Sequence, residues 1–149
     1  LHQGRAGDRV ARTISAARLL RGEDASALTG RIVLLGASAP EIGGRDLGIR
    51  PMEMLLIGLG GCSSIDVVMI LTKGREAVTD CVAEIEAERA DTDPKVFTKI
   101  HVHFIVTGKA LNPAKVERAI QLSAEKYCSA SIMLGATAAI THDFEVVEG

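Results

Sequence analysis

The sequence predicts one globular domain that mixes helices with strands, and three observations carry that expectation. Hydrophobic residues make up 47% and charged residues 24% of the 149, enough apolar mass for a sizeable core and too little charge for a disordered chain. The run from Met52 to Lys73 is apolar on almost every face of a helix. Further on, Ile100, Val102, Phe104 and Val106 alternate as one face of a strand does, and Asn112-Pro113 then opens another helix. A net charge of -2 and 3% aromatic content offer neither a basic surface for phosphates nor rings to stack on bases. Nucleic acid is therefore not expected as a partner.

Residues 1–30 read as an N-terminal extension of uncertain structure and residues 31–149 as the single domain. Arg5, Arg9, Arg12, Arg18 and Arg21, set among alanines and serines, faintly resemble a transit peptide, but Asp8 and Glu23 count against it. The segment from Arg9 to Leu20 reads as a short amphipathic helix. No continuous apolar stretch marks a secretory signal, and a reducing cytoplasm is the expected setting for unpaired thiols. Arg31 to Leu35 reads as a strand, and Gly43, Gly44 and Gly48 as a loop leading to Pro51, which suits a first helical turn. Glu53, Ser63, Ser64 and Asp66 interrupt the helix that follows; its acids and glycines speak against a membrane span, and an interior position is expected.

Val82, Ile85 and Ala87 fall in the next strand, which pairs antiparallel with the strand of Ile100 to Val106 across a turn containing Asp91, Asp93 and Pro94. Asn112 caps the second helix, on which Val116, Ile120, Ala124 and Tyr127 recur at helical spacing, with Cys128 ending that apolar face. Ser131 to Gly135 reads as one more helical turn and Ala139 to Val147 as a closing strand.

Three cysteines, Cys62, Cys81 and Cys128, cannot all pair within one chain. Gly60 and Gly61 weaken the long helix locally, which would leave Cys62 at the start of its second half, where free amides and the helix dipole favour a thiolate. The competing reading is a small buried hydrophobe. Gly58, Gly60 and Gly61 lack the nucleotide-binding spacing and follow no strand. His101 and His103 point the same way from a strand, and His142 with a cysteine would complete a metal site. Without a CxxC or HExxH cluster, solvent-facing histidines are expected, and no metal or cofactor is required. Lys115, Glu117 and Lys126 read as a solvated helix face. Asp66, inside an apolar helix, needs a hydrogen-bond donor, and an N-terminal or interface role and a catalytic one stand equally open.

Pro51-Met52-Glu53-Met54-Leu55-Leu56, Gly60-Gly61-Cys62-Ser63, Asp66-Val67, Glu125-Lys126-Tyr127-Cys128-Ser129 and Ile140-Thr141-His142 together resemble the OsmC/Ohr family. The likeness runs from roughly Gly44 to Val147 and is nearest to the family's YhfA-like branch. It implies an α+β OsmC-like fold: an intertwined homodimer with two long central helices sandwiched by antiparallel sheets and active sites at the subunit interface. It further implies a thiol peroxidase of the oxidative stress response that reduces organic hydroperoxides to alcohols. Cys62 would be the peroxidatic thiol, Cys128 the resolving thiol and Glu53 the catalytic carboxylate, with a lipoylated protein or thioredoxin as external dithiol reductant. Met54, Ile57 and Met133 would line an apolar cleft.

Two positions depart from the family pattern. The family's glutamate directly follows the proline, where Met52 stands here, and Glu53 is turned about 100° further round the helix. The arginine that stabilises the thiolate has no recognisable match; Arg45 and Arg50 are candidates. The alternative is a non-catalytic OsmC-like protein that binds an apolar or acyl ligand or senses oxidants.

Overall fold

A computed structural model describes residues 10–15 and 49–149. The elements run β1 (Val10–Ser15), α1 (Pro51–Lys73), β2 (Ala77–Arg89), β3 (Phe97–Lys109), α2 (Pro113–Leu122), a π-helical turn (Ser123–Tyr127), α3 (Ser129–Leu134) and β4 (Ala139–Glu148). The four strands form one sheet in the order β1-β2-β3-β4. The strand expected at Arg31 to Leu35, the glycine loop before Ile49 and the candidate Arg45 lie outside the described residues.

The amphipathic helix expected from Arg9 to Leu20 is corrected over its first half: Val10–Ser15 is a strand, paired antiparallel with β2 from Val10↔Ala87 to Ser15↔Val82. Pairing along β2 outweighs the weak local preference of a short Ala- and Arg-containing segment. The sheet therefore draws a strand from the first thirty residues.

Helix α1 spans the expected segment. Pro51 occupies its first turn, and the Glu53 carboxylate accepts a hydrogen bond from the Arg50 amide at 3.1 Å. The helix runs unbroken through Gly60 and Gly61, so Cys62 stands in mid-helix and not at a new helix start. Two glycines cost roughly 1 kcal/mol each in a helix. Burying Leu56, Leu59, Val67 and Leu71 on the sheet side offsets that cost, since each fully buried aliphatic side chain contributes about 1.5–3 kcal/mol. By length and a mean hydropathy of 2.1, α1 is the one described helix that could cross a membrane. The buried leucines give it the alternative explanation of a core helix lying on β2. Its interior position is one-sided, because Met54, Leu55 and Met69 are exposed.

Strands β2 and β3 form the expected antiparallel hairpin, with irregularities at Val78/Asp80 and Glu88/Arg89. Period-two alternation turns Cys81, Ala83, Ile85 and Ala87 of β2 to the core beside Ile100, Val102, Phe104 and Val106 of β3, and leaves Val82 on the other face. Asn112 caps α2 as expected, its side-chain oxygen accepting from the Ala114 amide at 3.0 Å, and Val116 and Ile120 are buried. The helical phase then changes. The π-helical turn carries an extra residue, so Tyr127 is 51% exposed beneath Lys126 and does not continue the buried face. Antiparallel pairing joins β2 and β3 as expected and β1 to β2 as well, but β4 joins β3 in parallel, from Lys99↔Ala139 to Gly108↔Glu148. Helices α2 and α3 supply the crossover that a parallel pair needs.

Candidate functional site

The site forms where the middle of α1 meets the junction between the π-helical turn and α3. Cys62 and Asp66 are four residues apart on α1 and so share one face. Cys128 ends the π-helical turn and begins α3, its sulfur accepting a hydrogen bond from the Ser131 amide at 3.4 Å. The two sulfurs and an Asp66 carboxylate oxygen all lie within 4.8 Å of one another. All three cysteines are free thiols.

The two sulfurs differ in access. Cys128 is 0% exposed, whereas Cys62 is half-buried, so a reagent entering the site meets Cys62 first. Burial pushes the Cys128 thiol upward, and hydrogen bonding to Cys62 adds to that, against the lowering effect of Ser131. Asp66 has the donor that an acid inside an apolar helix requires: Ser123 Oγ donates to its Oδ2 at 3.1 Å. Cys81 stands apart in the core of β2, its thiol pushed up to about 12 by burial and then by Asp80.

Glu53 does not belong to this cluster in the described chain. It precedes Cys62 by nine residues, about 13.5 Å along the helix axis and half a turn round it, and its carboxylate is engaged at the helix start. Arg50 is more distant still, about 18 Å along the axis. Met54 and Met133 are exposed and do not line an enclosed cleft.

An open groove of about 710 Å³ lies instead between α2 and β4, lined in part by Ile120, Ala124, Ser131, Ala138, His142 and Phe144. Glu117, expected on a solvated face, also lines it, while Lys115 pairs with Glu76 at 2.6 Å.

The histidines divide between the two faces of the sheet. His101 and His103 point the same way, as their spacing requires, and both meet Asp143 Oδ1, at 3.2 and 2.6 Å; Thr141 Oγ1 lies 2.8 Å from His101 Nδ1. His142 is on the other face, stacked on Phe104 with ring centroids 6.1 Å apart. Its pKa is lowered by burial and then by His101. The three histidines thus form no common ligand set.

Sequence reasoning missed Ser123 and Ser131, the two groups that hold Asp66 and Cys128. The i, i+4 spacing of Cys62 and Asp66 was visible in the sequence; the serines were not, because the π-helical turn moves them off helical phase.

A profile described as OsmC-like protein matches residues 43–143. Protein YhfA of Escherichia coli K12 is 56% identical over 102 residues, 68% of this chain and 76% of its own. A crystal structure of a protein from Aquifex aeolicus is 32% identical, covers 70% of this chain and 78% of its own, and superposes with a TM-score of 0.66. An organic hydroperoxide resistance protein OsmC from Legionella pneumophila, 18% identical, covers 74% and 79% with a TM-score of 0.58, a likeness of fold.

Proposed function

The chain belongs to the OsmC-like family, and from that premise we propose that it is a thiol-dependent peroxidase reducing organic hydroperoxides to alcohols. The observation that carries the proposal is the approach of a half-buried Cys62 sulfur and a fully buried Cys128 sulfur to within 4.8 Å. The Cys62 thiolate attacks the hydroperoxide and breaks the O–O bond. The alkoxide takes up a proton and leaves as alcohol, while Cys62 becomes a sulfenic acid. Cys128 then attacks the Cys62 sulfur, water leaves, and the disulfide holds the two oxidising equivalents until an external dithiol, a lipoylated protein or thioredoxin, returns two electrons and two protons. Burial of Cys128 suits a resolving thiol, which needs access to Cys62 and not to peroxide.

A homodimer belongs to the same proposal. Leu55, Gly58, Cys62, Ile65 and Met69 follow one another at alternating spacings of three and four on α1, and this stripe is exposed or half-buried along its whole length. A second copy laid on it would cover the apolar side chains and close the site around Cys62. A reducing cytoplasm suits the free thiols. The hydroperoxide substrate is the class named for the Legionella relative.

Asp66 favours a second reading, an oxidant sensor with slow turnover, because no step above uses its carboxylate. Consumption of cumene hydroperoxide with dihydrolipoamide as reductant separates the two. The peroxidase reading expects many turnovers for the wild-type chain, none for Cys62→Ser, and for Cys128→Ser, with the dithiol left out, a single equivalent consumed with Cys62 left as a sulfenic acid. Consumption that stops after one equivalent in the wild type, with dithiol still present, would leave the sensor reading in its place.

A further inference from the structure

We propose that the reduced site is also a binding site for a thiophilic divalent cation of the zinc type, with Cys62, Cys128 and Asp66 as ligands, and that oxidation of the two thiols expels the ion. The binding arm stands on the geometry alone; the release arm rests on the peroxidase reading.

Two sulfurs and one carboxylate oxygen are a donor set suited to zinc, and they come from two segments held against each other, α1 and the start of α3. Zinc binds thiolate sulfur at about 2.3 Å and carboxylate oxygen at about 2.0–2.2 Å in a tetrahedron, so donor atoms sharing one ion lie roughly 3.4–3.8 Å apart. The donors here already lie within 4.8 Å of one another, and small side-chain rotations close the remaining difference.

Outer partners are present as well. Ser123 Oγ fixes Asp66 by donating to its Oδ2, and the Ser131 amide orients the Cys128 sulfur. Metal binding deprotonates both thiols, and the divalent cation offsets the mutual repulsion of the two thiolates and the carboxylate that result. Three protein ligands leave the fourth tetrahedral position open to water.

Such an ion occupies the Cys62 lone pair that would attack peroxide, so metal and peroxide compete for one sulfur. Oxidation is balanced as two thiolates, one hydroperoxide and two protons giving one disulfide, one alcohol and one water. Both thiolate ligands are consumed, and the cation is released unchanged because a disulfide is no ligand for it.

The test uses the full reduced chain. Zn²⁺ is titrated in competition with a chromophoric chelator, and Co²⁺ serves as a spectroscopic probe. One equivalent of Zn²⁺ should bind, with a sulfur-to-cobalt charge-transfer band for Co²⁺ and tetrahedral visible bands. Asp66→Asn should weaken Zn²⁺ binding at least tenfold, Ser123→Ala should weaken it by roughly 10- to 100-fold, and Cys81→Ala should retain it. The wild-type protein oxidised to the Cys62–Cys128 disulfide controls for misfolded variants, and should bind no Zn²⁺. Zinc binding equally well to reduced and oxidised chains, or lost in Cys81→Ala while circular dichroism is unchanged, overturns the assignment. Peroxide turnover without zinc binding rejects the metal site and leaves the peroxidase; zinc binding without turnover keeps the site and rejects the peroxidase with its release step.

Discussion

Cys81, Cys62 and Cys128 are chemically the same residue, and what separates them is access to solvent and to each other. Cys81 is fully buried in β2, and burial together with Asp80 pushes its thiol from an ordinary value of 9.0 up to about 12. Its folded value lies above its unfolded one, so its contribution to stability is intact below about pH 9 and is lost as pH rises toward 12, when the unfolded chain ionises first. Within that window the loss approaches about 1.4 kcal/mol per pH unit. Denaturant unfolding at about pH 8 and pH 10.5 should therefore show a steeper decline for the wild type than for Cys81→Ala. Equal slopes would mean that the thiol ionises as easily in the folded chain as in the unfolded one. The same comparison explains why residue type alone could not sort the cysteines. Cys62 and Cys128 were legible as a pair through the motifs around them, but that one is open and the other sealed is a matter of packing.

Gly108 of β3 illustrates how an element's geometry can depend on one missing side chain. It faces Val78 beside the irregularity in the β2–β3 ladder, and a β-carbon added there would lie 2.8 Å from the Val78 α-carbon, with backbone that cannot swing aside. Gly108→Ala should destabilise the fold by about 1–3 kcal/mol through overpacking, read as a lower denaturant midpoint at unchanged slope; an unaltered midpoint would show that the ladder end yields freely. At this scale the sequence was a good guide wherever a signal was local. Pro51 and the long apolar run set α1, Asn112-Pro113 set the start of α2, and the alternation from Ile100 to Val106 set β3. It misled where distant pairing decided. Val10–Ser15 is a strand because β2 offers it a ladder, β4 runs parallel because α2 and α3 return the chain to the same end of the sheet, and the break in phase at Ser123–Tyr127 leaves no mark in the pattern of apolar residues. Gly60-Gly61 misled in the opposite direction, since packing of α1 on β2 holds the helix together where local propensity would loosen it.

For the molecule as a whole, the two sides of α1 are unequally used. One buries Leu56, Leu59, Val67 and Leu71 against the sheet; the other carries the stripe of Leu55, Gly58, Cys62, Ile65 and Met69, with Leu55 and Met69 each 47% exposed. An apolar stripe of this length on a surface marks an interaction site, and a copy of the same helix is a self-complementary partner for it. Cys62 lies at its centre, so assembly and access to the thiol should be coupled. The wild-type chain is expected to sediment at about twice its 15.7 kDa mass. Leu55→Glu puts a charge into the apolar stripe and should give a monomer with peroxide turnover reduced at least tenfold. Val96→Glu, an exposed apolar position away from α1 in the turn before β3, should leave both mass and turnover unchanged. A wild-type chain that sediments as a fully active monomer at micromolar concentration would sever the link between the stripe and the chemistry, and would mean that the groups around Cys62 in one subunit suffice for the reaction.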